Sequence, residues 1–304
     1  NRIGLHPSKY FRSIDKTIFS HYTLNNFKKL KRLSGKFDIV ISSYKPAASI
    51  ILGIFYKIIN KKSKLFIEQR DLISLFGRKK RIFPLHLIDK IIDKFFLSFA
   101  DEIIVVSPSS KRKADVFYKK KTNLIFNGID QWKNYYKPIV DKIKILYAGN
   151  LSSVRNLNRI CKHIITCEKD IELIIASKEN PKFFGGDYDF IKYKGFLNRD
   201  KLEKLIKEVN FLLILEGFDP DSEENIPGKL FEYLSFNKPI MANCSENSEI
   251  MKILSETQAG KNINNFSDFI DYIEIKQFKT NDSLKKYFRD YQLKKYLNLL
   301  EKYE

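Results

Sequence analysis

Short runs of Ile, Val and Leu alternate along this chain with longer stretches whose apolar residues recur every three to four positions. The first pattern predicts strands buried on both faces, the second amphipathic helices, and their alternation predicts parallel α/β architecture. FDIVISS (37–43), KLFIEQRD (64–71), DEIIVVSPSS (101–110) and NLIFNGID (123–130) read as strands. PAASIILGIFYKII (46–59) and PLHLIDKIIDKFFLSFA (84–100) read as the helices among them. QWKNYYKPIVD (131–141) reads as a crossover, after which the same grammar restarts with KIKILYAGN (142–150). A helix over 156–168 follows, then strands at 171–177 and 190–196, a helix at 199–209 and a strand at 210–218. Strand 238–244, helix 247–257 and a final helix over 281–304 complete the pattern.

The economical reading is two Rossmann-like, doubly wound parallel-sheet domains facing a cleft. Residues 1–138 plus 281–304 are expected to form the first and 139–280 the second, with the C-terminal helix crossing back to the first. A length of 304 residues fits that division, because one hydrophobic core rarely serves so long a chain. Such sheets bind ligands at the carboxyl ends of their strands. The chain does not begin with Met and its first clear strand comes near Phe37, so the start of an N-terminal domain is expected to be missing.

Composition narrows the function classes. The longest apolar run, AASIILGIFY (47–56), is well short of the roughly 18 to 20 residues that span a bilayer. No secretory signal pattern is visible. Cys161, Cys167 and Cys244 are odd in number and lack metal-ligand spacing, which fits small buried or surface thiols in a reducing cytoplasm. Charge is lopsided. Residues 1–140 hold 29 Lys and Arg against 10 Asp and Glu, whereas residues 141–304 hold 26 of each. A field confined to one half, with clusters such as Arg78–Arg81 and Lys111–Lys113, points to an anionic partner: membrane, phosphorylated carrier or nucleic acid.

The most specific chemistry lies in ENIPGKLFEYLSFNKPI (224–240). Glu224 falls on the loop after strand 210–218; Asn225 is expected as an N-cap, with Pro227 in the first turn. Gly228 lets a ligand approach the backbone. Lys229 adds a full charge to the half charge of a helix start, and Glu232, a turn further in, can face neutral hydroxyls. The arrangement suits a diphosphate with sugars on each side. It is equally what an acid supporting a helix dipole and an acid on a solvated face would give.

This segment resembles the nucleotide-sugar-binding segment of family 4 retaining glycosyltransferases of the GT-B fold. Their Glu–seven residues–Glu motif holds the ribose with its second acid and lies near the donor sugar with its first. The resemblance implies Glu232 as ribose ligand and Glu224 as the donor-sugar residue, with Pro227, Gly228, Lys229 and Leu230 between them. ILYAGNLSSVRNL (145–157) resembles the family's loop opening the second domain. Gly149 is kept there, Asn150 replaces an Arg, and Arg155 stands at the position of a basic diphosphate ligand. FIEQRD (66–71) resembles the strand presenting Arg70 and Asp71 to the acceptor side. KGFLNRDKL (194–202) resembles the segment flanking the nucleobase. The family's glycine-rich first loop is not in this sequence.

The expected activity is therefore transfer of a sugar from a UDP- or GDP-linked donor to a hydroxyl, with retention, in polysaccharide biosynthesis such as capsule or lipopolysaccharide assembly. The acceptor is expected to be lipid-linked or a glycan. The basic half is expected to dock on anionic membrane, placing the protein in the cytoplasm, peripheral on the inner face. No cofactor and no metal are expected. Asp219-Pro-Asp221 spells a metal-binding triplet, but a hard cation needs more oxygen ligands than this acidic loop assembles. A catalytically inactive nucleotide-binding relative is the alternative. Nucleic-acid binding is the rival from another class, opposed by the neutral second half and the lack of an RNA-type aromatic strand.

Overall fold

The computed structural model describes residues 21–44, 47–69, 85–118, 122–139 and 142–303. Arg70 and Asp71, the expected acceptor-side pair, lie outside the described residues, as does the Arg78–Arg81 cluster. The chain divides into two compact units, Asn1–Phe126 with Leu297–Glu304, and Asn127–Tyr296.

The first unit runs α1 (His21–Arg32), β1 (Ile39–Tyr44), α2 (Ala47–Ile59), β2 (Lys64–Gln69), α3 (Leu85–Ser98), β3 (Glu102–Val105), α4 (Pro108–Tyr118) and β4 (Asn123–Leu124). The four strands among its described residues are parallel in the order β1-β2-β3-β4. Leu65, Ile67, Ile103 and Val105 pack with Ile50 and Ile54 of α2 and Leu97 of α3. Chain-terminal residues return to this unit. The Tyr303 ring meets Phe66 edge-on at 5.5 Å, and its hydroxyl donates to Glu102 at 2.9 Å.

The second unit runs β5 (Ile143–Ala148), α5 (Asn158–Thr166), β6 (Ile171–Ala176), β7 (Ile191–Tyr193), α6 (Arg199–Glu208), β8 (Phe211–Leu215), α7 (Pro220–Glu223), α8 (Gly228–Ser235), β9 (Ile240–Asn243), α9 (Glu249–Thr257), β10 (Gly260–Asn262), α10 (Phe266–Ile273) and the first part of α11 (Arg289–Leu300). All six strands are parallel, ordered β10-β9-β8-β5-β6-β7. Numbered from β5, that is the dinucleotide-fold order 3-2-1-4-5-6. Every residue of β8, FLLIL, is buried, as a central parallel strand covered on both faces requires. One face packs Ile143, Ile145 and Tyr147 against Ile160 and Ile164 of α5 and Phe269 and Ile273 of α10. The order reverses between β5 and β8, so their carboxyl ends diverge around a crevice.

Several elements differ from the pattern reading. α1 and most of α4 occupy stretches to which the pattern reading assigned no element. α4 also takes the last residues of the expected strand 101–110, and β10 with α10 was not anticipated. α4 starts at Pro108, whose fixed φ suits a first helical position, with the Ser107 hydroxyl accepting from Ser110 N at 3.1 Å. The final helix is interrupted. A 3-10 segment (Asp282–Tyr287) ends at Phe288, whose extended backbone (φ −70°, ψ 144°) bridges to Ile129 before α11 begins.

Candidate active site

The switch point is built from four short segments of the second unit. The loop after β5 carries Gly149 to Leu157. Its buried ends, Leu151 and Leu157, anchor it, and Leu151 N donates to Glu179 Oε2 at 3.1 Å. Ser152 and Arg155 close a tight turn on each other, N to O at 3.1 and 3.2 Å. That turn directs Arg155 across to Glu216, the first residue beyond β8. Arg155 Nε donates to Glu216 Oε1 and Nη2 to Oε2, both at 2.9 Å. Glu216 is only 3% exposed, so the fork replaces its lost hydration. The carboxylate in turn holds the guanidinium charged, raising its pKa above the usual arginine value.

Glu216 was not singled out from sequence. The available signal was its position: a carboxylate directly after an all-apolar central strand, where the chain enters the switch-point crevice. Arg155 is thus no free cation. Two N–H groups serve Glu216, leaving the remaining donors of the fork for a ligand.

α8 starts beside this pair. The expected N-cap, Asn225, does not cap the helix; its amide nitrogen points to Glu216 Oε2 at 3.4 Å. Pro227 (φ −65°, ψ 139°) is the N-cap instead, and the helix begins at Gly228. A proline side chain offers no acceptor, so no side chain caps the first turn. α6, α9 and α10 are by contrast capped by Asn198, Ser248 and Asn265. The uncapped start exposes N–H groups and the positive end of the helix dipole. Tyr233 ties α8 to β5, its hydroxyl accepting from Ala148 N at 3.2 Å.

Lys229 leans from that first turn over the Tyr147 ring, its Nζ 4.6 Å from the centroid. It lies against Gly149, where a Cβ would meet Lys229 Nζ and the Tyr147 hydroxyl at 3.4 Å each. Gly149 also has φ +154°, a conformation side-chain-bearing residues rarely adopt. The Tyr147 hydroxyl donates to Asn150 O at 2.7 Å, while the Asn150 side chain is exposed. Desolvation lowers the Lys229 pKa to about 8, against the opposing pull of Glu216 and with the help of Arg155. Lys229 is therefore the cation of the cluster whose charge no carboxylate among the described residues neutralises at hydrogen-bond distance. Charge of this kind stabilises a bound anion.

Glu232 is exposed one turn further along α8. Glu224 is half-buried and caps the C-terminus of the short α7. Leu230 is wholly buried and its N–H is taken by Pro227 O at 2.9 Å, so it contributes by anchoring the helix rather than by contact with a ligand. Asp219 is the N-cap of α7, accepting from Ser222 N at 3.1 Å and Ser222 Oγ at 2.7 Å. Among the described residues no three His, Cys, Asp or Glu side chains cluster as metal ligands. No described helix is long and apolar enough to cross a membrane. The structure thus brings Gly149, Asn150, Arg155, Pro227, Gly228 and Lys229 to one switch point, and adds Glu216.

No protein-family model and no curated protein sequence matches this chain. Solved structures do. Anabaena HepE, in complex with UDP and glucose, aligns over 98% of this chain and 84% of its own, with TM-score 0.63 and 14% identity. The lipopolysaccharide outer core galactosyltransferase WaaB in apo form aligns over 92% and 79%, with TM-score 0.61 and 15% identity. A glycosyltransferase from Rickettsia africae ESF-5 aligns over 99% and 84%, with TM-score 0.62 and 14% identity. The fold is GT-B. Two parallel α/β units, of four and six strands among the described residues, account for it, and its solved neighbours include glycosyltransferases.

Proposed function

We propose that this protein is a glycosyltransferase that transfers a sugar from a nucleoside diphosphate donor to a hydroxyl, with retention. One observation carries the reading. Lys229, the uncapped start of α8 and the remaining donors of Arg155 converge on the switch point of a dinucleotide-type sheet. Positive charge fixed in a partly desolvated crevice stabilises a leaving diphosphate, since preorganised donors need no reorganisation as charge develops.

In this reading Lys229 and the Gly228 and Lys229 N–H groups take the diphosphate, and Arg155, held rigid by Glu216, takes a further oxygen. Glu232 accepts from the ribose hydroxyls and Glu224 orients the donor sugar. Arg70 and Asp71 face the acceptor. Charge neutralisation by these groups needs no metal ion. The donor is UDP- or GDP-linked; the solved HepE complex with UDP and glucose supports a uridine donor. The acceptor is lipid-linked or a glycan, and the basic first unit docks on the anionic inner face of the membrane. Exposed Ile91 and Phe95 on α3 and Val116 on α4, beside Arg112 and Lys113, support that docking.

The test is thermal stabilisation by UDP, GDP, ADP and their sugars with chelator present, for wild type and Glu232→Ala. A ligand at a hundredfold excess over its Kd stabilises by about 2.7 kcal/mol. One nucleotide should stabilise the wild type and lose its effect in the variant. No response from a folded protein overturns the reading, and a response that requires a divalent ion overturns its metal-free form.

A further inference from the structure

A pocket of about 390 Å³ opens on the second unit, lined among others by Asn156, Asn158, Arg159, Lys162, Phe218 and Asn243. That volume is in the range of small-molecule sites. Lys229 and Glu232 do not line it.

Its chemistry is unusually well defined at one point. Asn264 Nδ2 donates to Cys244 O at 2.8 Å, which turns Asn264 Oδ1 toward Asn243. Asn243 Nδ2 donates to that oxygen at 2.9 Å. Asn262 Nδ2 donates to the same Cys244 carbonyl at 2.9 Å, and Asn262 Oδ1 accepts from Asn264 N at 2.8 Å. This amide chain fixes which end of Asn243 is which. One N–H of the nitrogen is used, and the oxygen accepts no hydrogen bond among the described residues. Asn243 is only 7% exposed and lines this pocket. An amide oxygen open at a pocket wall has lone pairs free to accept from a ligand hydroxyl.

The rest of the lining is cationic and aromatic. Arg159 lies over the Phe218 ring, its guanidinium carbon 4.6 Å from the centroid. Neither Arg159 nor Lys162 makes an ion pair among the described residues, and both are exposed on adjacent turns of α5. Phe218 remains 47% exposed. A bare phosphate could pair with the two cations but would leave the exposed Phe218 face of the pocket uncovered. A neutral sugar could donate to Asn243 but would leave both cations without a counter-charge.

We propose that this pocket binds an anionic monosaccharide unit, with its acid group against Arg159 and Lys162 and a hydroxyl donating to Asn243 Oδ1. The unit is a uronate or a sugar phosphate, either free or within a longer glycan. The proposal does not rest on the donor-site reading.

Calorimetric titration with glucuronate and with glucose 6-phosphate tests it, with glucose and inorganic phosphate as controls. The full chain is compared with Arg159→Gln/Lys162→Gln, whose exposed side chains should leave the urea midpoint unchanged, and with Asn243→Ala. We expect saturable binding of at least one acid sugar, at least tenfold tighter than either control and at least tenfold weaker in the double variant. Asn243→Ala should weaken the acid sugar by more than it weakens inorganic phosphate. Glucuronate binding alone names the carboxylate, and glucose 6-phosphate alone the phosphate. Binding of neither acid sugar overturns the proposal. So does inorganic phosphate binding as tightly, or affinity unchanged in the double variant.

Discussion

Truncating Arg155 should harm the second unit more than removing the charge of its partner. Glu216 is 3% exposed, and its two strong contacts are the 2.9 Å bonds from Arg155; Asn225 and Gly217 N stand at 3.4 Å. Arg155→Ala therefore leaves a buried carboxylate without its counter-charge, at a cost of about 3–5 kcal/mol. Glu216→Gln leaves the opposite charge alone, but the Arg155 side chain is 33% exposed and water can take over. That change should cost about 1–2 kcal/mol. Arg155→Met with Glu216→Leu removes both charges and should lose less than Arg155→Ala alone. The readout is urea unfolding followed by Trp132, the only tryptophan, which lies in the second unit against Phe288. With a urea dependence of roughly 1–3 kcal/mol per molar, Arg155→Ala should lower the midpoint by about 2 M. Equal losses for Arg155→Ala and Glu216→Gln, or a double variant as unstable as Arg155→Ala, would refute the reasoning.

Two further outcomes follow from the same crevice and its support. Gly149→Ala places a Cβ at φ +154° against Lys229 Nζ and the Tyr147 hydroxyl, and should cost about 1–3 kcal/mol in urea while weakening nucleotide binding. Equal stability and affinity would show that the loop relaxes freely. Burial lowers Lys229 and Lys238 to about 8, below the ordinary lysine value they hold when unfolded. The unfolded chain then binds more protons between about pH 8 and 10, so stability should rise with pH across that window. Lys238→Met should show a smaller rise, and a flat or falling profile in wild type would contradict the assignment.

Much of this was legible in the chain. Apolar runs such as FLLIL marked the central strands because a parallel strand covered on both faces has no polar side to hide. Pro227, Gly228 and Lys229 were found because a helix start after a strand end is a local pattern, and the helix does begin there. Local grammar misplaced the cap. Asn225 has the right side chain for one, yet Glu216, nine positions earlier, attracts its amide. Glu216 itself escaped notice because its partner is 61 positions away, and only the sheet order brings β5 and β8 side by side. The short β10 and the amphipathic α10 lacked a long periodic signal; packing on β9 and α5 defines them. The direction of Asn243 depends on three amides whose contacts no spacing reveals.

The central claim is that a nucleoside diphosphate binds at the β5–β8 switch point through Lys229. Calorimetric titration of UDP and GDP into wild type and Lys229→Gln at pH 7 tests it most directly. The account predicts measurable affinity for one of them in the wild type and at least a tenfold loss in the variant. A folded variant that binds as tightly as wild type would contradict it.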